Sequence, residues 1–245
     1  MTYLKRFLLI TLLAIVLLTG GFVVWALNAA QPGPAALAAL VSDDSVTVTQ
    51  TSSYITFQPS NLQPSTALIF YPGGRVDYRA YAPALRRIAE QGYLVVLVPV
   101  RLNLAFFDIE AGAPALTDFP EIKTWAAGGH SLGGVAASLF AANHPEIKGI
   151  VYWASYPAND GLKNSGVQAL SIYASLDGLA SIADIEASKA NLPANAVFVS
   201  IEGGNHAQFG DYGPQSGDLA ATISPEEQWQ QIARATIDFL QSLTP

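Results

Sequence analysis

The chain's 245 residues are enough for one sizeable domain, or one domain with an appendage. Nineteen acidic against twelve basic side chains give a formal net charge of −7, which argues against a nucleic-acid-binding face. The sequence has no cysteine, so disulfides, zinc–thiolate sites and thiol catalysis are excluded.

Lys5 and Arg6 precede an uncharged run over residues 7–27. A helix of about 20 apolar residues crosses a bilayer, so this run predicts one transmembrane helix. The basic flank favours the cytoplasmic side, which places the rest of the chain outside the cytoplasm. Trp25 lies near the far end, where interfacial aromatics are common. A cleaved signal peptide with a secreted product is the alternative. Its apolar core usually spans only about 7–15 residues, and residues 26–30 match a small-x-small cleavage site poorly. No cysteine follows to carry a lipid, so the reading is a retained single-pass anchor over residues 1–30.

Residues 31–44, with Pro32-Gly33-Pro34, read as a linker holding a turn or two of helix. The catalytic domain is expected over residues 45–245. Alternating β-branched and aromatic residues at 46–49 and 54–57 predict a hairpin of half-buried strands. Continuous apolar runs at 67–71 and 93–100 predict strands buried on both faces. Between them Asp77 can cap a helix over 78–91, which Gly92 ends. Residues 103–110 read as short helix or loop. Further strands are expected at 125–128, 149–154, 169–174 and 196–201, and helices at 135–143 and 182–191. Ser224-Pro225-Glu226-Glu227 combines an N-cap, a first-turn proline and a capping-box glutamate, opening a last helix to residue 243. Two leading strands followed by βαβα repeats imply a mostly parallel sheet with helices on both faces.

The most informative stretch is Gly128-Gly129-His130-Ser131-Leu132-Gly133-Gly134, a Gly-x-Ser-x-Gly turn between a strand and a helix. That context is the one a nucleophile elbow requires. The turn holds its serine in a sparsely populated conformation and presses helix against strand, so Gly129 and Gly133 fit the flanking positions. Ser131 Oγ would project above the sheet, with the Leu132 amide facing the place of a substrate carbonyl oxygen.

A serine nucleophile needs a base, and the chain offers three histidines. His130 sits within the elbow and should point away from Oγ. His144 lies at the far end of the elbow helix, roughly 20 Å away along its axis. His206 remains, in a glycine-rich loop after the last strand, at the carboxyl edge where ligand-facing residues of such sheets lie. The third member should be a carboxylate that orients the imidazole. Asp177, at the carboxyl end of the preceding strand, takes that place; Asp160 is its rival, and Glu202 and Asp211 share the strand end or loop of His206.

The order Ser131, Asp177, His206, with the serine in Gly-His-Ser-Leu-Gly-Gly, resembles the α/β-hydrolase superfamily, and within it the compact bacterial hydrolases related to dienelactone hydrolase. The resemblance covers residues 45–245 and leaves out the anchor. It implies a twisted sheet of about eight strands, acyl transfer through a covalent serine ester, and no cofactor or metal. It also implies an oxyanion-hole loop after the third strand, usually with His-Gly. Here Tyr71-Pro72-Gly73-Gly74-Arg75 stands there, so proline replaces the histidine. Gly74 would donate the second amide beside Leu132, with Arg75 as the alternative if the register differs by one. Arg75, Tyr156, Asn205, Phe209 and Tyr212 are candidates for the pocket wall. Residues 154–169 leave little room for a cap domain, which predicts a fairly open cleft.

The expected activity is hydrolysis of an ester or related acyl bond in a small substrate. A thioesterase, lactonase or amidase would use the same residues. An inactive hydrolase fold serving as a binding module at the membrane is the rival from another class.

Overall fold

The structure is a computed structural model that describes residues 2–243. Met1, and with it the start of the expected anchor, lies outside the described residues, as do Thr244 and Pro245 at the end of the expected catalytic domain. In chain order the elements are α1 (Thr2–Leu27), α2 (Pro34–Ala39), β1 (Val46–Gln50), β2 (Ile55–Pro59), β3 (Thr66–Tyr71), α3 (Ala82–Ala89), β4 (Leu94–Leu97) and α4 (Ala113–Asp118). They continue with β5 (Thr124–His130), α5 (Leu132–Asn143), β6 (Ile147–Trp153), β7 (Gln168–Ala174), α6 (Ile182–Ser188), β8 (Val197–Ile201) and α7 (Pro225–Leu243).

The eight strands form one sheet in the order β1-β2-β4-β3-β5-β6-β7-β8. The leading hairpin is antiparallel and joins β4 antiparallel; every pair from β4 to β8 is parallel. Parallel strands need crossovers that cover the sheet, and the strand burial follows. β3, β4 and β5 are buried throughout, whereas β1 is exposed along most of its length. One face packs Phe57, Phe70 and Trp153 against α3 and α7; the other packs Ile69, Tyr71 and Tyr152 against α5. All parallel strands end at one rim, so the loops after β3, β5, β7 and β8 meet there.

Local departures from the sequence reading have local causes. The helix expected over 78–91 starts as a 3₁₀ turn, with the Asp77 carboxylate accepting from the Arg79 amide at 3.0 Å, and becomes α-helical only from Ala82. Residues 101–112 wind through three 3₁₀ turns and lead into α4, a helix that no strong periodicity in its sequence announces. The segment 31–44 holds α2 and is packed on the domain. Ala36 is fully buried, its amide donates to Asp211 Oδ2 at 2.8 Å, and Arg86 binds Val41 O and the Asp43 carboxylate.

Candidate active site

The turn between β5 and α5 has the geometry its sequence requires. Ser131 sits at φ 51° and ψ −122°, a strained conformation for a residue with a Cβ. Its amide donates to Trp153 O at 2.9 Å, and its carbonyl accepts from Ser155 Oγ at 2.6 Å. The flanking glycines are required by close approach: a Cβ on Gly129 would lie 2.4 Å from the Gly133 carbonyl carbon, and one on Gly133 2.3 Å from Tyr71 O. No side chain fits between strand and helix at these two positions.

His206 and Asp177 meet at the same rim. His206 Nδ1 and Asp177 Oδ2 are 2.8 Å apart, with both side chains almost wholly buried. A carboxylate can only accept, so Nδ1 is the donor in this bond. Asp177 Oδ1 accepts from the amides of Leu179 and Ala180 at 2.8 and 2.7 Å, which fixes its second oxygen on the ring. His206 Nε2 is buried and, among the described residues, bonds to no group, Ser131 Oγ included. Such bonds are often long in unliganded sites and shorten when substrate binds.

The rival residues lie elsewhere. His144 Nε2 pairs with Glu110 at 2.8 Å. Asp160 is on an exposed turn, Glu202 accepts from Ser200 Oγ, and Asp211 binds α2. His130 points away from the cleft into the core, where Tyr81 Oη lies 2.9 Å from its Nδ1 and the rings of His206 and Phe209 lie against it. Burial, aided by neighbouring His206, holds the His130 pKa well below the ordinary histidine value, so this ring is neutral.

The oxyanion candidates are distinguished by their hydrogen bonds. The Arg75 amide donates to Asn103 O at 2.7 Å and the Gly73 amide to Tyr81 Oη at 3.0 Å, so neither is available. Among the described residues, the amides of Gly74 and Leu132 donate to no protein acceptor, and a Cβ on Gly74 would lie 3.2 Å from Leu132 Cδ2. These two amides, on residues in contact beside Ser131, are the oxyanion-site candidates.

The model of the alpha/beta hydrolase family matches residues 67–230, a segment holding Ser131, Asp177, His206, Leu132 and Gly74. The chain belongs to the alpha/beta hydrolase family. Among solved structures, the hydrolase is similar to the esterase domain of a Rhodothermus marinus protein, with a TM-score of 0.60 at 15% identity, over 80% of this chain and 97% of that one. It is also similar to TT1662 from Thermus thermophilus, with a TM-score of 0.58 at 16% identity, over 81% and 98% of the two chains. No curated protein matches it.

A cleft of about 490 Å³ beside the elbow is lined by Gly74, Leu132, Leu104, Arg75 and Tyr212, and also by Trp25, Asn28 and Ala30, with Ser131 next to Leu132 in the chain rather than in the cleft wall. Arg75 and Tyr212 are thus at the wall, as expected. Phe209 is core, and Asn205 is held by Leu219 O and by the amide of Gln208. The segment between β6 and β7 contains no inserted domain; the end of α1 borders the cleft instead.

Two supporting residues escaped the sequence reading. Asp218 accepts from the amides of Gly178, His206, Ala207 and Leu219, so one carboxylate ties the Asp177 loop to the His206 loop. Tyr81 Oη accepts from the Gly73 amide and donates to His130 Nδ1, tying the oxyanion loop to the elbow. An aspartate in a polar loop and a tyrosine in an apolar helix carry no local signal for either role.

Proposed function

We propose that this chain is a membrane-anchored serine hydrolase that cleaves an ester or related acyl bond. The observation that carries the reading is a buried imidazole, oriented by Asp177, at the same sheet rim as a serine held in the strained elbow conformation. Such strain has a cost, which a binding module would have no reason to retain.

In this mechanism, His206 Nε2 takes the proton of Ser131 Oγ as the oxygen attacks the acyl carbon. The amides of Leu132 and Gly74 receive the oxyanion, and Asp177 stabilises the imidazolium. Collapse of the tetrahedral species expels the leaving group, which receives the proton from His206. Water, deprotonated in turn by His206, then releases the acyl group from Ser131. Every step uses side chains and amides of this chain, and none calls for a cofactor. Thioesters, lactones and amides share the chemistry and are the alternative substrates.

The anchor reading is supported by the described helix Tyr3–Leu27, whose length and hydropathy suit a membrane span. It is supported also by packing at its end, because Ala26 is fully buried and Ala30 bridges to Val76. Cleavage within 26–30 would remove residues that the domain holds.

A fluorophosphonate probe tests the activity. Labelling is expected at Ser131, abolished in Ser131→Ala and strongly reduced in His206→Ala; no labelling of folded protein overturns the reading. Recovery of a shortened, detergent-independent protein from cells would overturn the anchor.

A further inference from the structure

The end of α1 is built into the cleft. A helix leaves its last carbonyls without intrahelical donors, and here the domain supplies them. Arg75 Nε donates to Trp25 O at 3.0 Å and Arg75 Nη2 to Asn28 O at 2.9 Å, while Asn103 Nδ2 donates to Ala26 O at 3.1 Å. The guanidinium also lies 4.4 Å from the centre of the Trp25 ring, and a cation at a helix C-terminus is favourable in its own right. Arg75, Leu102 and Asn103, which make or flank this joint, all have positive φ. Backbone strain of that kind persists only where the surroundings hold it.

Helix length sets the depth of the joint. The uncharged run 7–27 measures about 30 Å as a helix, the thickness of a bilayer's hydrocarbon core. With Lys5 and Arg6 among the headgroups on one side, Leu27 reaches the hydrocarbon boundary on the other. Ester carbonyls of bilayer lipids lie at that boundary. Trp25, Asn28 and Ala30, which line the cleft beside Gly74 and Leu132, stand at the same level.

A second contact fixes the orientation. Phe107 packs edge-on against Phe22, with ring centroids 6.1 Å apart, and Phe22 belongs to the uncharged run. Phe106 and Phe107 are each 45% exposed and would rest in the lipid surface. Leu104, in the same turn, lines the cleft. An apolar edge thus runs from the bilayer past Leu104 to Leu132.

Resting on the hydrolase and anchor readings above, we infer that the substrate is a long-chain acyl ester resident in the membrane, drawn into the cleft from the bilayer that holds α1. The chain enters along the Phe106–Leu104 edge, and its carbonyl reaches Ser131 without first leaving the lipid.

The test uses the full chain reconstituted in phospholipid vesicles. It compares a bilayer-resident long-chain umbelliferyl ester with a water-soluble short-chain ester of the same leaving group. One variant carries about twelve Gly/Ser residues between Leu27 and Asn28, a reach of roughly 20 Å, together with Trp25→Ser and Phe22→Leu to loosen the helix from Arg75 and Phe107, so that the cleft can leave the surface. The ratio of bilayer-ester to soluble-ester turnover should fall by about tenfold or more, because the reacting groups no longer meet in the lipid. A second variant, Phe106→Ser with Phe107→Ser, should raise the apparent KM for the bilayer ester by roughly 3- to 10-fold and leave the soluble ester unchanged. Equal effects on both esters, or no effect on either, overturn the inference. So does a parent protein that cleaves only the soluble ester, an outcome that leaves the hydrolase reading standing. If neither ester is cleaved and Ser131 takes no fluorophosphonate, the hydrolase reading falls and this inference with it.

Discussion

On the acid–base side of the cleft, Asp218 collects the amides of Gly178, His206, Ala207 and Leu219, and the buried Gln228 pairs with the Asn205 amide and carbonyl. Asp177 spends one oxygen on two amides and the other on His206. Around Ser131 the pattern reverses: among the described residues, the amides of Leu132 and Gly74 and the Nε2 of His206 find no partner. Gly74 and Leu132 are only half-buried and line a cavity, so their amides stay within reach of a ligand, whereas His206 Nε2 is buried. In the proposed reaction the bonded side would hold groups still, and the open side would offer its donors to charge that arises only during reaction.

If the saturated side works by orienting the imidazole, Asp177→Asn should break it most severely. The amide would favour the wrong tautomer, and kcat should fall by about 10⁴-fold with little change in fold, as read by ester turnover and circular dichroism. A loss below about tenfold would mean that the carboxylate is structural.

Asp218→Asn is the next probe, because it touches no reacting group. Its NH₂ would face amide donors and loosen both loops, and kcat is expected to drop by roughly 10- to 100-fold. The KM for a soluble ester should barely move. An unchanged kcat would confine Asp218 to loop structure.

Tyr81→Phe sharpens the comparison from the other side. It strips a buried partner from Gly73 and from His130. A loss of about 1–3 kcal/mol is expected, several degrees in unfolding temperature for a chain of this size. Oxyanion-loop slackening should lower kcat by up to roughly tenfold. Stability lost with no change in kcat would separate the loop from catalysis.

The smallest effect concerns pH. The folded pKa of His130 is depressed by burial, so below about 6.5 the unfolded chain binds the proton that the folded chain refuses. Stability should therefore fall as pH drops from about 6.5 toward 5, and this slope should flatten in His130→Asn. An equal slope in the variant would assign the proton uptake to another group.

Much of the site was legible in the chain because it depends on neighbours in sequence. Gly129 and Gly133 are needed where strand and helix collide, within four residues of each other, and the apolar runs of β3 and β4 announce strands buried on both faces. His206 stood out because only three histidines exist and two sit in unsuitable places. Asp177 was harder: Asp160 also follows a strand, and only the observed contact with the His206 ring separates them. The choice of Gly74, with Arg75 as its alternative, turns on backbone hydrogen bonds that no local pattern reports: the Arg75 amide donates to Asn103 O.

The sequence by itself determined the elbow turn, the order Ser131, Asp177, His206, the alternating architecture and the apolar helix, since each is written in spacing or composition over a short stretch. Only the tertiary structure decided that α1 ends in the wall of the cleft and that Asp218 and Tyr81 brace its two sides. Those contacts join groups 50 residues apart at Arg75 and Trp25, 49 at Tyr81 and His130, and 40 at Gly178 and Asp218. Their physical basis is the need of orphaned carbonyls and amides for partners, and which partner answers depends on how the whole chain folds.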